Sequence, residues 1–331
     1  MTQESTGSRP RNHRRLGWAV VVTAIVCAAV VVALIVHSFG QEVKRLATDV
    51  VHLHSAQDEV QLDPSEFSSG ACMVFAPTAG NNGKTVFLDA GHGGRDPGGV
   101  GTNQAGQTVY ESNVNLAIEL DTTALLRARG YRVVVSRTGN TSVMRLSAAD
   151  IDGKLLSLQG AHDDVVARDI CANLAQADVL VGIYMDAGGS PDNAGSVTLY
   201  DTDRPFSVSN QRLAGLLQSD VLSAMNAQGW QIPNDGAVPD SGFGSSVGDP
   251  TQGGLAAEAA AYNHLLLIGP AQAGYFNTPS QMPGAVIEPL YLTDPFEGTI
   301  ADTPANQSVI AKGVADAIEA YLEPAKASAS S

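Results

Sequence analysis

From Lys84 onward, short apolar runs rich in β-branched residues alternate with longer amphipathic stretches. The pattern predicts strands over residues 85–88, 131–136, 179–185, 196–200, 265–268 and 285–290. It predicts helices over 111–129, 163–175, 210–227 and 305–322, the first of them stopped by Gly130. The strand runs are apolar throughout rather than every second residue, so both of their faces must be covered. This reads as an α/β fold: a single open, mostly parallel twisted sheet with helices on both faces. Residues 138–160 and 228–263 fit neither period. Unpatterned stretches of that length in a compact domain tend to be binding loops or disorder.

The N-terminal segment obeys a different rule. Residues 16–38 contain an uncharged apolar run from Leu16 to Val36, and roughly 20 such residues cross a bilayer. Arg9, Arg11, Arg14 and Arg15 precede it and keep that end in the cytoplasm. His37-Ser38-Phe39-Gly40-Gln41 lacks a small-x-small cleavage site. The expected organisation is a cytoplasmic tail (1–15), a single-pass membrane anchor (16–38), an extracytoplasmic stalk (39–83), a folded domain (84–323) and a short tail (324–331). His52 and His54 in the stalk read as solvent-facing. The net charge of -15 argues against nucleic acid and against anionic lipid as partners. Of the three cysteines, Cys27 falls in the anchor. Cys72 and Cys171 would face an oxidising compartment and either pair or stay separate, because nothing in the sequence fixes their distance.

Chemistry concentrates at the ends of the predicted elements. Asp89-Ala90-Gly91-His92-Gly93 follows the first strand, where α/β sheets place their sites and where glycine lets a ligand approach the backbone. Glu111 opens the first helix, and Glu288 stands in an apolar strand that gives a carboxylate no structural reason to be there. Hydrolysis on zinc takes about three protein ligands, an open position for water and a further carboxylate to move its proton. His92, Glu111 and Glu288 supply part of that set, with Tyr184 between them in the chain. His162 and His264 lie away from these positions and read as structural or surface groups.

Four segments in order carry a family resemblance. Val86-Phe87-Leu88-Asp89-Ala90-Gly91-His92-Gly93-Gly94 with Asp96-Pro97-Gly98, Glu111-Ser112-Asn113-Val114-Asn115-Leu116-Ala117, the stretch from Arg168 to Asp178, and Ala285-Val286-Ile287-Glu288 resemble the zinc-dependent N-acetylmuramoyl-L-alanine amidases of the Amidase_3 type. The resemblance implies an amidase-like domain over 84–323 that cleaves the amide between N-acetylmuramic acid and L-alanine in peptidoglycan. It implies His92 and Glu111 as zinc ligands and Glu288 as the catalytic acid and base. It also places Tyr184 where the family carries its third ligand, a histidine, so the implied metal set is His92, Glu111 and Tyr184. Phenol ionises near pH 10, against about 6.5 for imidazole, so this departure weakens the site. Asp186, two residues along the same strand, is not a clear replacement. The alternative reading is a degenerate homologue that binds cell wall or regulates a partner.

Overall fold

The computed structural model describes residues 59–241 and 254–323. The expected cytoplasmic tail, membrane anchor, His52 and His54, and the 324–331 tail lie outside the described residues. No described helix is long and apolar enough to cross a membrane.

The strands are β1 (Glu59–Gln61), β2 (Ala71–Phe75), β3 (Thr85–Ala90), β4 (Val100–Thr102), β5 (Thr108–Tyr110), β6 (Arg132–Arg137), β7 (Ile151–Asp152), β8 (Leu155–Leu156), β9 (Val179–Ile183), β10 (Ser196–Tyr200), β11 (Asn234–Pro239) and β12 (Gly284–Glu288). The helices are α1 (Glu111–Ala128), α2 (Leu158–Ala175), α3 (Ser207–Asn226), α4 (Gly254–Ala261), α5 (Pro295–Ala301) and α6 (Pro304–Leu322). Eight strands form one mixed, mostly parallel sheet in the order β1-β2-β6-β3-β9-β12-β10-β11. Its centre, β6-β3-β9-β12, is parallel, while β1-β2, β2-β6 and β12-β10 pair antiparallel.

Alternate residues of the central strands feed two cores, as the period of a strand requires. Val86, Leu88, Val133, Val135, Val181 and Ile287 pack with α1, α3 and α6. Phe87, Val134, Leu180 and Val286 pack with α2 and with Leu267 and Ile268 on the opposite face. The parallel register brings Ala90, Ile183 and Ile287 level with one another. Gly91, Tyr184 and Glu288 therefore emerge at one edge of the sheet.

Several expectations are corrected. Residues 59–75, read as part of a stalk over 39–83, contribute β1 and β2 to the sheet. β2 pairs with β6, and Phe67, Ala71, Cys72 and Phe75 are buried. Residues 265–268 form a turn instead of a strand, closed by hydrogen bonds from Ile268 and Gly269 to the Leu265 carbonyl. Four apolar residues can be buried in either conformation, and periodicity does not separate the two. Helix α2 starts at Leu158, earlier than expected, because the Ser157 side chain accepts the Gly160 N–H at 3.1 Å and caps it. Cys72 and Cys171 are joined by a disulfide, their Cα atoms 5.7 Å apart. It ties β2 to α2.

Candidate active site

The loop after β3 turns sharply. His92 itself has φ +62°, in the left-handed region. Gly91 is required for packing, since a Cβ there would enter the ring of Tyr184. Two buried arginines hold the loop from below. Arg168, from α2, reaches Asp89 Oδ1 at 2.5 Å, Asp164 Oδ2 at 2.9 Å, and the carbonyls of Ala90 and His92 at 2.8 Å each. Arg137, at the end of β6, donates to the carbonyls of Ala90 and Gly91 at 3.1 Å each and of Ser112 at 2.6 Å. Both guanidiniums find charged or carbonyl acceptors, which is the condition for burying them.

The loop aims His92 at α1. Its Nδ1 lies 2.7 Å from Asp96 Oδ2, and its Nε2 lies 3.2 Å from Glu111 Oε1. Glu111 is buried and fixed from three sides. Gly99 N–H donates to Oε2 at 2.6 Å, while Met185 N–H at 3.0 Å and Asn115 Nδ2 at 3.2 Å donate to Oε1. Two donors on a tetrahedral zinc, each about 2.0–2.1 Å from it, stand roughly 3.3 Å apart. The Nε2–Oε1 separation matches that edge.

Electrostatics shift the three groups in different directions. Burial alone would lower the pKa of His92. The charge of Glu111 and the hydrogen bonds of Asp96 and Glu111 outweigh it and raise the imidazole to about 10. Glu111 is pulled below its ordinary value, because His92 and the two backbone donors overcome the effect of burial. Glu288 goes the other way: burial, then the charges of Asp186 and Glu111, push it up to about 8. A carboxyl in that range can both take and give a proton near neutrality. His92 and Glu288 line one cavity of about 190 Å³, together with Tyr184, Leu265, Leu267, Tyr275 and Val286.

Tyr184 stands beside His92, the ring centroids 5.4 Å apart and edge to face. Its hydroxyl donates to Asp89 Oδ2 at 3.0 Å. Burial and the charge of Asp89 raise its pKa above the ordinary phenol value. Asp186 Oδ1 accepts the Ala187 N–H at 2.7 Å. The structure thus brings His92, Glu111, Tyr184 and Glu288 to one edge of the sheet. It adds Asp96, Asn115, Arg137 and Arg168 as residues that hold them. Asp96 follows His92 by four residues, and Asn115 follows Glu111 by one helical turn, which is the signal that could have found them.

A second group of ligand-type side chains lies at the opposite end of the sheet. Asp201, Asp240 and His264 place one ligand atom each within 4.8 Å of the others. His264, read from the sequence as structural or surface, is part of this cluster.

Comparison with known proteins agrees with the fold. The profile of the Amidase_3 family, N-acetylmuramoyl-L-alanine amidase, matches residues 86–320. The uncharacterized protein YqiI of Bacillus subtilis is 30% identical over 178 residues, which is 53% of this chain and 70% of that protein. The N-acetylmuramoyl-L-alanine amidase LytC of Bacillus subtilis is 31% identical over 146 residues, 44% of this chain and 24% of LytC. The crystal structure of an N-acetylmuramoyl-L-alanine amidase from Clostridium difficile 630 superposes with a TM-score of 0.50 at 25% identity, covering 74% of this chain and 100% of that one. With the profile running from β3 into α6 and so covering every element that carries the site, the chain belongs to the Amidase_3 family of zinc-dependent N-acetylmuramoyl-L-alanine amidases.

Proposed function

We propose that this chain is a peptidoglycan hydrolase that cleaves the amide between N-acetylmuramic acid and L-alanine. In this reading residues 16–38 anchor it in the cell membrane with the folded domain outside. The observation that carries the catalytic reading is the shared cavity: His92, with Glu111 at a zinc-ligand spacing, faces the same space as a Glu288 whose proton affinity is raised to about 8. His92 Nε2 and Glu111 Oε1 would hold the zinc, which supplies Lewis acidity to the bound water and the scissile carbonyl. Glu288 accepts the proton of the attacking water and delivers it to the leaving amine. Asp96 fixes the His92 ring through Nδ1, leaving Nε2 for the metal. Arg137 and Arg168 keep the loop carbonyls, and with them His92, in place.

One observation favours a second reading, a homologue that binds wall without cutting it. Tyr184 would join the metal only by giving up Asp89, and its phenol is held protonated. Two protein ligands retain zinc weakly. The test measures zinc content and muropeptide release from purified sacculi for the full chain, Tyr184→His, and Tyr184→His with Glu288→Gln. Slow release by the wild type is expected, with both zinc retention and release raised about tenfold or more by Tyr184→His. The double variant should keep the metal and lose the release. Absence of cleavage by both the wild type and Tyr184→His would defeat the amidase reading and leave the binding homologue.

A further inference from the structure

β10 runs against β12, with Val197 level with Glu288 and Leu199 level with Val286. The C-terminal ends of β10 and its parallel partner β11 therefore lie at the edge of the sheet opposite Glu288. Asp201 and Asp240 are the residues that follow these two strands, and the strand register ends with Tyr200 level with Pro239. Both carboxylates are fully buried.

Each carboxylate has one oxygen tied down and the other turned inward. Asp203 N–H donates to Asp201 Oδ1 at 2.7 Å, and Leu265 N–H donates to Asp240 Oδ2 at 2.9 Å. The remaining oxygens face one nitrogen. His264 Nδ1 lies 2.9 Å from Asp201 Oδ2 and 3.5 Å from Asp240 Oδ1. The first approach is within ion-pair distance yet makes no hydrogen bond, so Asp201 Oδ2 is a buried carboxylate oxygen without a hydrogen-bond donor among the described residues. Leaving such an oxygen unsatisfied is costly. His264 Nε2 points the other way, 3.6 Å from the exposed Asp203.

We propose that Asp201, Asp240 and His264 form a divalent-cation site, distinct from the one around His92. Two carboxylates with one imidazole suit zinc or manganese, and the three donor atoms are as close together as ligands of one ion must be. The backbone donors to Asp201 Oδ1 and Asp240 Oδ2 do what outer partners of metal ligands do, fixing which oxygen faces the ion. The ion would clip β10 and β11 to the segment after α4. That segment continues from His264 into Leu265, Leu266 and Leu267, which line the cavity beside Glu288. The clip therefore sets one wall of the cavity from the far end of the sheet.

The test uses the full chain carrying His92→Ala, so that the other site lacks its imidazole. Metal content after equilibration with Zn2+ and with Mn2+ is measured, alongside Tm with and without each ion. About one equivalent and a Tm rise of several degrees are expected. Adding His264→Gln should abolish both while leaving the metal-free Tm within a few degrees. Should that variant fold poorly, Co2+ bound to the His92→Ala chain gives a visible d–d spectrum whose intensity reports nitrogen and oxygen coordination, and an absent spectrum overturns the proposal as well. No saturable ion in the His92→Ala chain, or the same equivalent after His264→Gln, overturns it and leaves the three side chains as an ion-paired cluster.

Discussion

Beneath the glycine loop the fold buries Arg168 against Asp89 and Asp164, with Arg137 and a further carboxyl, Glu119, beside them. Glu119 lies two turns along α1 from Glu111, on the same stripe as Asn115. Its Oε1 accepts the Ala90 N–H at 2.9 Å and the Ser136 hydroxyl at 3.3 Å, while Oε2 has no donor among the described residues. Burial raises its pKa from 4.5 to about 8; Arg137 opposes this, Asp89 adds to it, and Arg168 opposes it more weakly. Arg168 takes both aspartates and Arg137 directs its donors to backbone carbonyls, so burial decides for Glu119, which keeps its proton. The folded state thus holds this proton more tightly than the unfolded chain. The resulting stability is complete below pH 4.5 and is lost as pH rises through 8. Glu119→Gln removes the ionisation. We expect its stability, relative to wild type, to improve by roughly 4 kcal/mol between pH 5 and pH 9, read from denaturant unfolding at each pH. A difference that does not change with pH would mean that Glu119 is ionised against Arg137.

At the scale of elements, the disulfide joins a strand of the sheet to a helix that covers it. β2 lies near the edge of the sheet and α2 covers one face, and Cys72 and Cys171 fall in the core between them. They are 99 residues apart in sequence, and closing a loop of that size restricts the unfolded chain by about 4–5 kcal/mol in the chain-entropy account. Cys72→Ala with Cys171→Ala should lower the stability by roughly 3–5 kcal/mol without changing the far-UV spectrum. A change under about 1 kcal/mol would show that the bond does not form in the purified protein. What the sequence makes legible also separates by element. β3, β9 and β12 announce themselves because buried parallel strands are apolar at every position, and α1 because Glu111 opens an amphipathic period. β11, Asn-Asp-Gly-Ala-Val-Pro, does not, since an edge strand tolerates Gly and Pro and is held by pairing to β10. Leu265 to Ile268 misleads for the opposite reason: burial alone makes it look like a strand. The His92, Glu111 and Glu288 positions could be read because they sit at the ends of legible elements. The Asp201, Asp240 and His264 cluster could not, because β11 was hidden and its register with β10 is what brings two aspartates together.

For the whole molecule, the consequence of β1 and β2 joining the sheet is a different boundary for the folded unit. A boundary at residue 84 would remove both strands, expose the edge of β6, and discard Phe67, Ala71, Cys72 and Phe75 from the cores. Burying side chains of this kind is worth about 1.5–3 kcal/mol for each large one. Together with the lost disulfide this approaches the 5–15 kcal/mol by which a domain is stable. The exposed β6 edge would also offer unpaired N–H and C=O groups for association. We expect a chain starting at residue 56 to give a cooperative thermal transition and resist limited proteolysis. A chain starting at residue 84 should aggregate or unfold more than 15 °C lower. Equal melting temperatures for the two would show that β1 and β2 are accessories rather than part of the fold. They would also return residues 59–83 to the role of a spacer between the proposed anchor and the domain.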